Sequence, residues 1–228
     1  VYGFEEGRAD PTTKRAIIEP YFLNPDGERD GPDAPNELAS TEIEYDQVLG
    51  GWTKPFFMAP MNTKIVRRTH ALLGFPYGKE FRYEEATLVG SGFSGRCRAK
   101  SEALGYVMFI MAVAMGPTRS LLKNYVLPKS GEGPDRETRE TGSWRIALVG
   151  TLAGGDAIVA RVRGEGDPGV ESTTRMLAEV ALCLAQDSDR IAVGGGSWTP
   201  ASAMAELLLP RLTSHAGLSF DIEETDRS

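Results

Sequence analysis

The sequence predicts an α+β fold, a mostly antiparallel sheet with helices packed on it. Three observations carry that expectation. Residues 144–164 read as a β-hairpin, a capped helix at 199–217 runs into a final strand, and strands are joined by hairpins as often as by helices. A doubly wound parallel sheet needs a crossover helix between successive strands, which this order does not supply. A chain of 228 residues can bury a sizeable core, and 41% apolar with 25% charged residues is the balance of a globular domain.

Residues 1–54 read as an extended, loop-rich opening segment. Within it, Lys14 to Leu23 holds a short apolar stretch closed by Asn24-Pro25-Asp26-Gly27, a turn composition. Asp26 to Pro35 is acidic and rich in Pro and Gly, so a mobile surface loop is expected there. Gly51 to Ala59 reads as a strand entering the core. The first helix should be capped by Asn62 and ended by Gly74, with Ile65, Val66, Thr69, Leu72 and Leu73 on its inner face. Tyr77 to Tyr83 reads as a short strand. A second helical stretch should span Ala99 to Tyr125, broken near Gly116-Pro117. Lys129 to Gly142 is a charged linker.

In the hairpin, Trp144, Ile146 and Leu148 alternate with polar or small residues, as do Ile158, Ala160 and Val162. Ala153-Gly154-Gly155 supplies the left-handed turn positions. Asp167-Pro168-Gly169 then starts a helix with an apolar stripe of Leu177, Val180, Ala181 and Leu184, its outer face laddered by Glu171, Arg175 and Glu179. The last helix opens with Thr199 as N-cap and Pro200 at its first position. Met204, Leu207, Leu208 and Leu212 face inward, Gly217 stops it, and Leu218 to Ile222 forms a strand.

A net charge of -7 argues against a nucleic-acid surface. Cys97 and Cys183 have neither metal-ligand nor disulfide-framework spacing, which fits a reducing compartment such as the cytoplasm. The chain opens on Val1, so a piece of a longer protein is expected. Glu5, Glu6, Arg8 and Asp10 interrupt any signal-peptide run. Ala103 to Met115 carries no charge but is shorter than the ~20 residues a spanning helix needs. It reads as a buried core helix, with a lipid-facing or partner-facing segment as the alternative.

Gly90-Ser91-Gly92-Phe93-Ser94-Gly95 matches the glycine pattern of a dinucleotide-binding turn. That reading also needs a second strand ending in an acid about 20 residues on. Here no acid stands between Glu102 and Glu132, so the run reads as a flexible loop and no cofactor is assigned to this chain. Lys64, Arg67 and Arg68 share a helix face opposite the apolar stripe. They suit either a solvated face paired with Glu80, Glu84 or Glu85, or a site for an acidic substrate group or a cofactor phosphate. Lys64, placed in the first turn, would favour a nearby anion. His215 in a last turn suits a structural role, whereas His70 is open to acid/base work. No metal site is expected.

The run PFFMAPMNTKIVRRTHALLG at 55–74 is followed by Tyr77-Gly78 and Phe81-Arg82-Tyr83. Further on come Leu127-Pro128, Gly131-Glu132-Gly133-Pro134 and Gly166-Asp167-Pro168-Gly169. Met176-Leu177-Ala178-Glu179, Ala181-Leu182-Cys183-Leu184 and Thr199-Pro200-Ala201 complete the series. In this order and spacing the chain resembles the saccharopine-dehydrogenase-like oxidoreductases, which include the trans-acting enoyl reductases.

The resemblance implies that 55–222 is the C-terminal substrate and dimerisation domain, followed by a tail at 223–228. It implies a missing Rossmann domain that holds NAD(P)(H), a homo-oligomer, and an apolar or lipid substrate undergoing enoyl or carbonyl reduction. Asn62, Arg67 and Arg68 are the substrate-side candidates, and no catalytic residue transfers. Pro210 departs from the family pattern and should kink the last helix. The competing reading is a non-catalytic lipid- or partner-binding module, with membrane or lipid association.

Overall fold

A computed structural model describes residues 11–32, 34, 42–127, 131–152 and 154–224. The fold is α+β. Among the described residues both sheets are small and antiparallel, and neither contains a parallel strand pair. The chain divides into two compact units, Val1–Ser130 and Gly131–Ser228. The division falls in the charged linker, within the stretch 55–222 that the sequence reads as one domain.

The first unit contains α1 (Pro11–Ile18), β1 (Tyr45–Asp46), β2 (Gly51–Pro55), α2 (Ala59–Leu72), β3 (Ala86–Gly90), α3 (Gly92–Ala114) and α4 (Gly116–Tyr125). The opening segment is therefore less extended than expected. The described part of the Asp26–Pro35 loop is also anchored, although Asp33 and Pro35 lie outside the described residues. Tyr21 Oη donates to the Pro32 carbonyl at 2.8 Å, and the Tyr21 ring lies so close to Gly31 that a Cβ there would sit 2.5 Å from it. Its composition lacks apolar residues, but one neighbouring tyrosine holds it down.

Strand β2 is the centre of its sheet, in the order β1-β2-β3. It ends at Pro55 rather than Ala59, because proline cannot donate to a ladder. Asp46 Oδ1 accepts from the backbone of Val48 and Leu49, closing the turn into it. The expected strand at Tyr77–Tyr83 is irregular instead, and the partner strand is Ala86–Gly90.

Helix α3 starts at Gly92, seven residues ahead of the expected Ala99. Gly95, Ala99 and Ala103, spaced by one turn, are its buried seam, and small residues let its backbone approach β2 closely. A Lys54–Glu102 ion pair of 2.7 Å pins the two together. The expected break is present at Met115, where α3 and α4 meet at 105°.

The second unit contains α5 (Arg136–Thr141), β4 (Ser143–Thr151), β5 (Ala157–Glu165), α6 (Glu171–Gln186), α7 (Pro200–His215) and β6 (Leu218–Glu224). The hairpin has the expected strands, Gly155 takes a positive φ of 85° in its turn, and Ala153 lies outside the described residues. Strand β6 pairs with β5 on the side away from β4. Cys183, Met204 and Leu208 form the buried centre between α6 and α7, flanked by Val180, Leu207 and Leu212. Thr199 and Ser202 make a reciprocal capping box ahead of Pro200, which fixes the start of α7. The backbone break in α7 lies at Met204, six residues before Pro210, rather than at the proline.

Candidate functional site

Helix α2 presents its chemistry the opposite way round from the sequence expectation. Its buried face holds Thr63, Lys64, Arg67, His70 and Ala71, whereas Ile65 and Leu73 are exposed. The reason is the segment that covers it. Lys64 Nζ donates to the carbonyls of Ala16 and Ile17 at 2.7 and 2.6 Å. Those are last-turn carbonyls of α1, which lack partners within their own helix and carry the negative end of its dipole. Lys64 is thus a cation at a helix C-terminus. Because α2 begins at Ala59, it does not stand in that helix's first turn.

Arg67 and Arg68 are also turned towards main chain. Arg67 donates to the Tyr83 carbonyl at 3.2 Å with its guanidinium 5.4 Å from the Tyr21 ring centre, and Arg68 donates to the Leu23 carbonyl. The solvated face paired with Glu80, Glu84 or Glu85 is therefore corrected. His70 is enclosed by aromatic rings, with Tyr77 stacked at 5.5 Å and Phe75 and Phe81 at 5.2 and 4.8 Å. Its Nε2 lies 2.8 Å from the Gly78 carbonyl, so that nitrogen carries the proton and donates.

Asn62 is not a cap; the residue preceding α2 is Met58. Asn62 Nδ2 instead donates to Glu85 Oε2 at 2.9 Å, and Tyr83 Oη donates to Glu85 Oε1 at 3.0 Å. One carboxylate thus holds an amide and a phenol. Burial, then the Glu85 charge and hydrogen bond, push the Tyr83 phenol above its ordinary pKa, so it stays a neutral donor.

Glu85 also lines a shallow cleft of ≈ 130 Å³ with Glu42, Glu44, Glu84, Phe56 and Ala59. Four carboxylates against one cation, Lys54, which is already paired with Glu102, make this cleft unsuited to a phosphate, and it is smaller than the several hundred Å³ typical of a drug-sized ligand site. The structure brings Asn62 to this cleft, through Glu85, while Arg67 and Arg68 are held by backbone. Sequence reasoning named Glu85 only as a partner for the cations of α2 and gave Tyr83 no role beyond the end of a strand; the Tyr83–Glu85 spacing of two residues was the available signal.

The glycine run at 90–95 is an ordered turn from β3 into α3, not a flexible loop. A Cβ on Gly95 would lie 2.4 Å from the Gly90 carbonyl oxygen, so glycine is needed for the strand and helix to meet. β3 pairs antiparallel with β2, so the turn lacks the parallel βαβ frame of a dinucleotide site. The Gly90 carbonyl also sits against the helix start, where a pyrophosphate would need amide donors. These residues do not fit a nicotinamide nucleotide.

In the second unit, α6 is inverted in part, since Val180 of the expected stripe packs against the core. Glu179, expected outside, is buried, and Leu177 and Leu184 are exposed. Arg211 from α7 pairs with Asp187 at 2.9 Å and Glu179 at 3.4 Å. The Arg211 hydrogen bond holds the Asp187 carboxyl below its ordinary pKa, and burial followed by the Asp187 charge raises the Cys183 thiol. The Glu171–Arg175 pair forms as expected. Trp144 Nε1 donates to Ser172 Oγ at 2.9 Å, with its ring flat against Gly164.

Comparison with known proteins gives one consistent result. A protein of Mycobacterium tuberculosis named as a trans-acting enoyl reductase is 38% identical over 220 residues, covering 92% of this chain and 51% of its own length. The chain is similar to one half of the trans-acting enoyl reductases. Those of Mycobacterium leprae and Mycobacterium ulcerans are 34% and 33% identical, each covering 90% of this chain and 50% of the relative. The chain therefore spans about half the length of the curated relatives it matches. No family model matches it, and no solved structure does.

Proposed function

We propose that this chain is the substrate-side, C-terminal half of an NAD(P)-dependent, saccharopine-dehydrogenase-like oxidoreductase that reduces an enoyl or carbonyl group of an apolar substrate, and that it is inactive alone. The observation that carries this reading is the match itself, continuous over nine-tenths of the chain yet confined to half of each relative. The inverted helices support it. Met61 and Ile65 on α2, with Met58 just ahead of it, and Leu177 and Leu184 on α6, are exposed apolar residues of the kind another protein segment covers.

In this reading 55–222 is the substrate and dimerisation part, and the nucleotide belongs to a Rossmann segment outside this chain, in the cytoplasm. Asn62 is the foremost substrate-side residue, presented by the Glu85 carboxylate. Arg67 and Arg68 fix the segments around it through the Tyr83 and Leu23 carbonyls. A second copy would cover the sheet face of Ile146, Leu148, Ile158, Phe220 and Ile222, which share one side of β4, β5 and β6 and are exposed. Light scattering of the full chain should then show a dimer, and Ile222→Asp a monomer.

The test of function is co-expression with the other half of a relative, followed by nicotinamide oxidation with a long-chain enoyl thioester. Turnover that needs both halves, and falls with Asn62→Ala, is expected. Turnover by the chain alone contradicts the proposal.

A further inference from the structure

We propose that the elbow formed by the end of α3 and by α4 is an interfacial anchor that docks the protein on an anionic lipid bilayer. This goes beyond the reductase reading and stands whether or not the chain takes part in a reduction.

Leu104, Met108, Met111 and Met115 follow one another at spacings of four, three and four, so they form a single ridge along α3. All four are exposed, at 62, 63, 58 and 51%. The opposite side of the same helix is used for packing, with Ala99, Ala103 and Val113 buried. Across the break, Leu121 and Tyr125 lie one turn apart on α4 and are exposed as well, followed by Val126. Arg119 and Lys123, also one turn apart, occupy the other side of that helix.

No single helix among the described residues is long and apolar enough to cross a membrane. The two helices reach that length and hydropathy only together, across a 105° bend. An apolar ridge joined crosswise to a short helix with a cationic side suits lying in the headgroup boundary rather than spanning it.

Charge chooses the occupant. Between Glu102 and Glu132 the sequence carries Arg119, Lys123 and Lys129 and not one acid, in a chain whose net charge is -7. A cationic apolar segment on an acidic protein orients it towards an anionic leaflet, where each Lys or Arg near the surface adds to binding, while the rest of the molecule is repelled. A second copy of this acidic chain would present the same ridge and the same cations.

Vesicle flotation of the full chain tests the proposal, using pure phosphatidylcholine and an equimolar mixture with phosphatidylglycerol. The chain should float with the mixture, far less with phosphatidylcholine, and less again as salt rises. Met108→Asp with Met111→Asp should lower partitioning by about tenfold or more, since charges would enter the apolar boundary. Leu121→Asp on the second helix should do the same, and Lys123→Glu should weaken binding to the anionic mixture only. Circular dichroism and the thermal midpoint should be unchanged, because these side chains are exposed. Absence of flotation, equal flotation with both lipids, or flotation untouched by the folded α3 and α4 variants would overturn the proposal. So would a ridge variant that changes the molecular mass without lipid, which would make the ridge a contact between copies.

Discussion

Helices α2 and α6 both bury charge and expose leucine or isoleucine, but they satisfy that charge differently. Lys64, Arg67 and Arg68 of α2 donate to main-chain carbonyls, including the free carbonyls at the end of α1. Glu179 of α6 is matched by a guanidinium that also grips Asp187. A carbonyl does not titrate, whereas a carboxylate does. The Arg211 junction therefore loses charge-assisted bonds in acid, whereas the carbonyls that Lys64 grips keep their acceptor character.

The largest expected effect sharpens the first half of that contrast. Lys64→Met keeps the aliphatic stem and removes a buried donor, leaving two part-buried carbonyls without it, so it should cost about 1–3 kcal/mol. Ile65→Ala on the adjacent, exposed position should cost under about 1 kcal/mol. Urea denaturation of the full chain measures both, and the reverse ranking would mean that α2 is turned the other way.

The acid contrast comes next. The Asp187 carboxyl lies below its ordinary value of 3.8 in the folded state, chiefly through its hydrogen bond with Arg211. Its contribution to stability is thus complete above that value and is lost as pH falls through the lowered one. The same sign holds for Glu102, which Arg98 and then Lys54 hold at about 2. Thermal midpoints followed from neutral pH into the acid range should fall less steeply for Asp187→Asn than for the unaltered chain. Equal slopes for Asp187→Asn and the unaltered chain would remove the distinction between the two junctions.

These inversions also explain what could be read from the sequence. The hairpin, the Thr199-Pro200 start, the Gly217 stop and the break at Met115 were legible because each depends on local chemistry: alternation, capping, or a residue that cannot continue a helix. The faces of α2 and α6 were not, since periodicity reports which residues share a side but not what covers that side. Glu179, Cys183 and Asp187 stand four apart and could have suggested a shared face, but their partner Arg211 is 32 residues beyond Glu179. The cap expected at Asn62 is not formed, because its amide donates to the Glu85 carboxylate, 23 residues on.

The smallest effect concerns the exposed stripe of α6. Leu177→Gln should change the stability of the isolated chain by no more than about 0.5 kcal/mol, because nothing is uncovered. In a preparation joined to the other half of a relative, the same change should weaken assembly. A large loss in the chain alone would return Leu177 to the core.

Calorimetric titration of the 228-residue chain with NADPH tests most directly whether the nucleotide is held elsewhere. Gly90 to Gly95 forms a packed antiparallel turn, and the cleft beside Glu85 is lined by carboxylates. Saturable binding should be absent below about millimolar, a free energy weaker than about -4 kcal/mol. Micromolar binding that disappears with Gly92→Val would contradict this and make the glycine turn a nucleotide site.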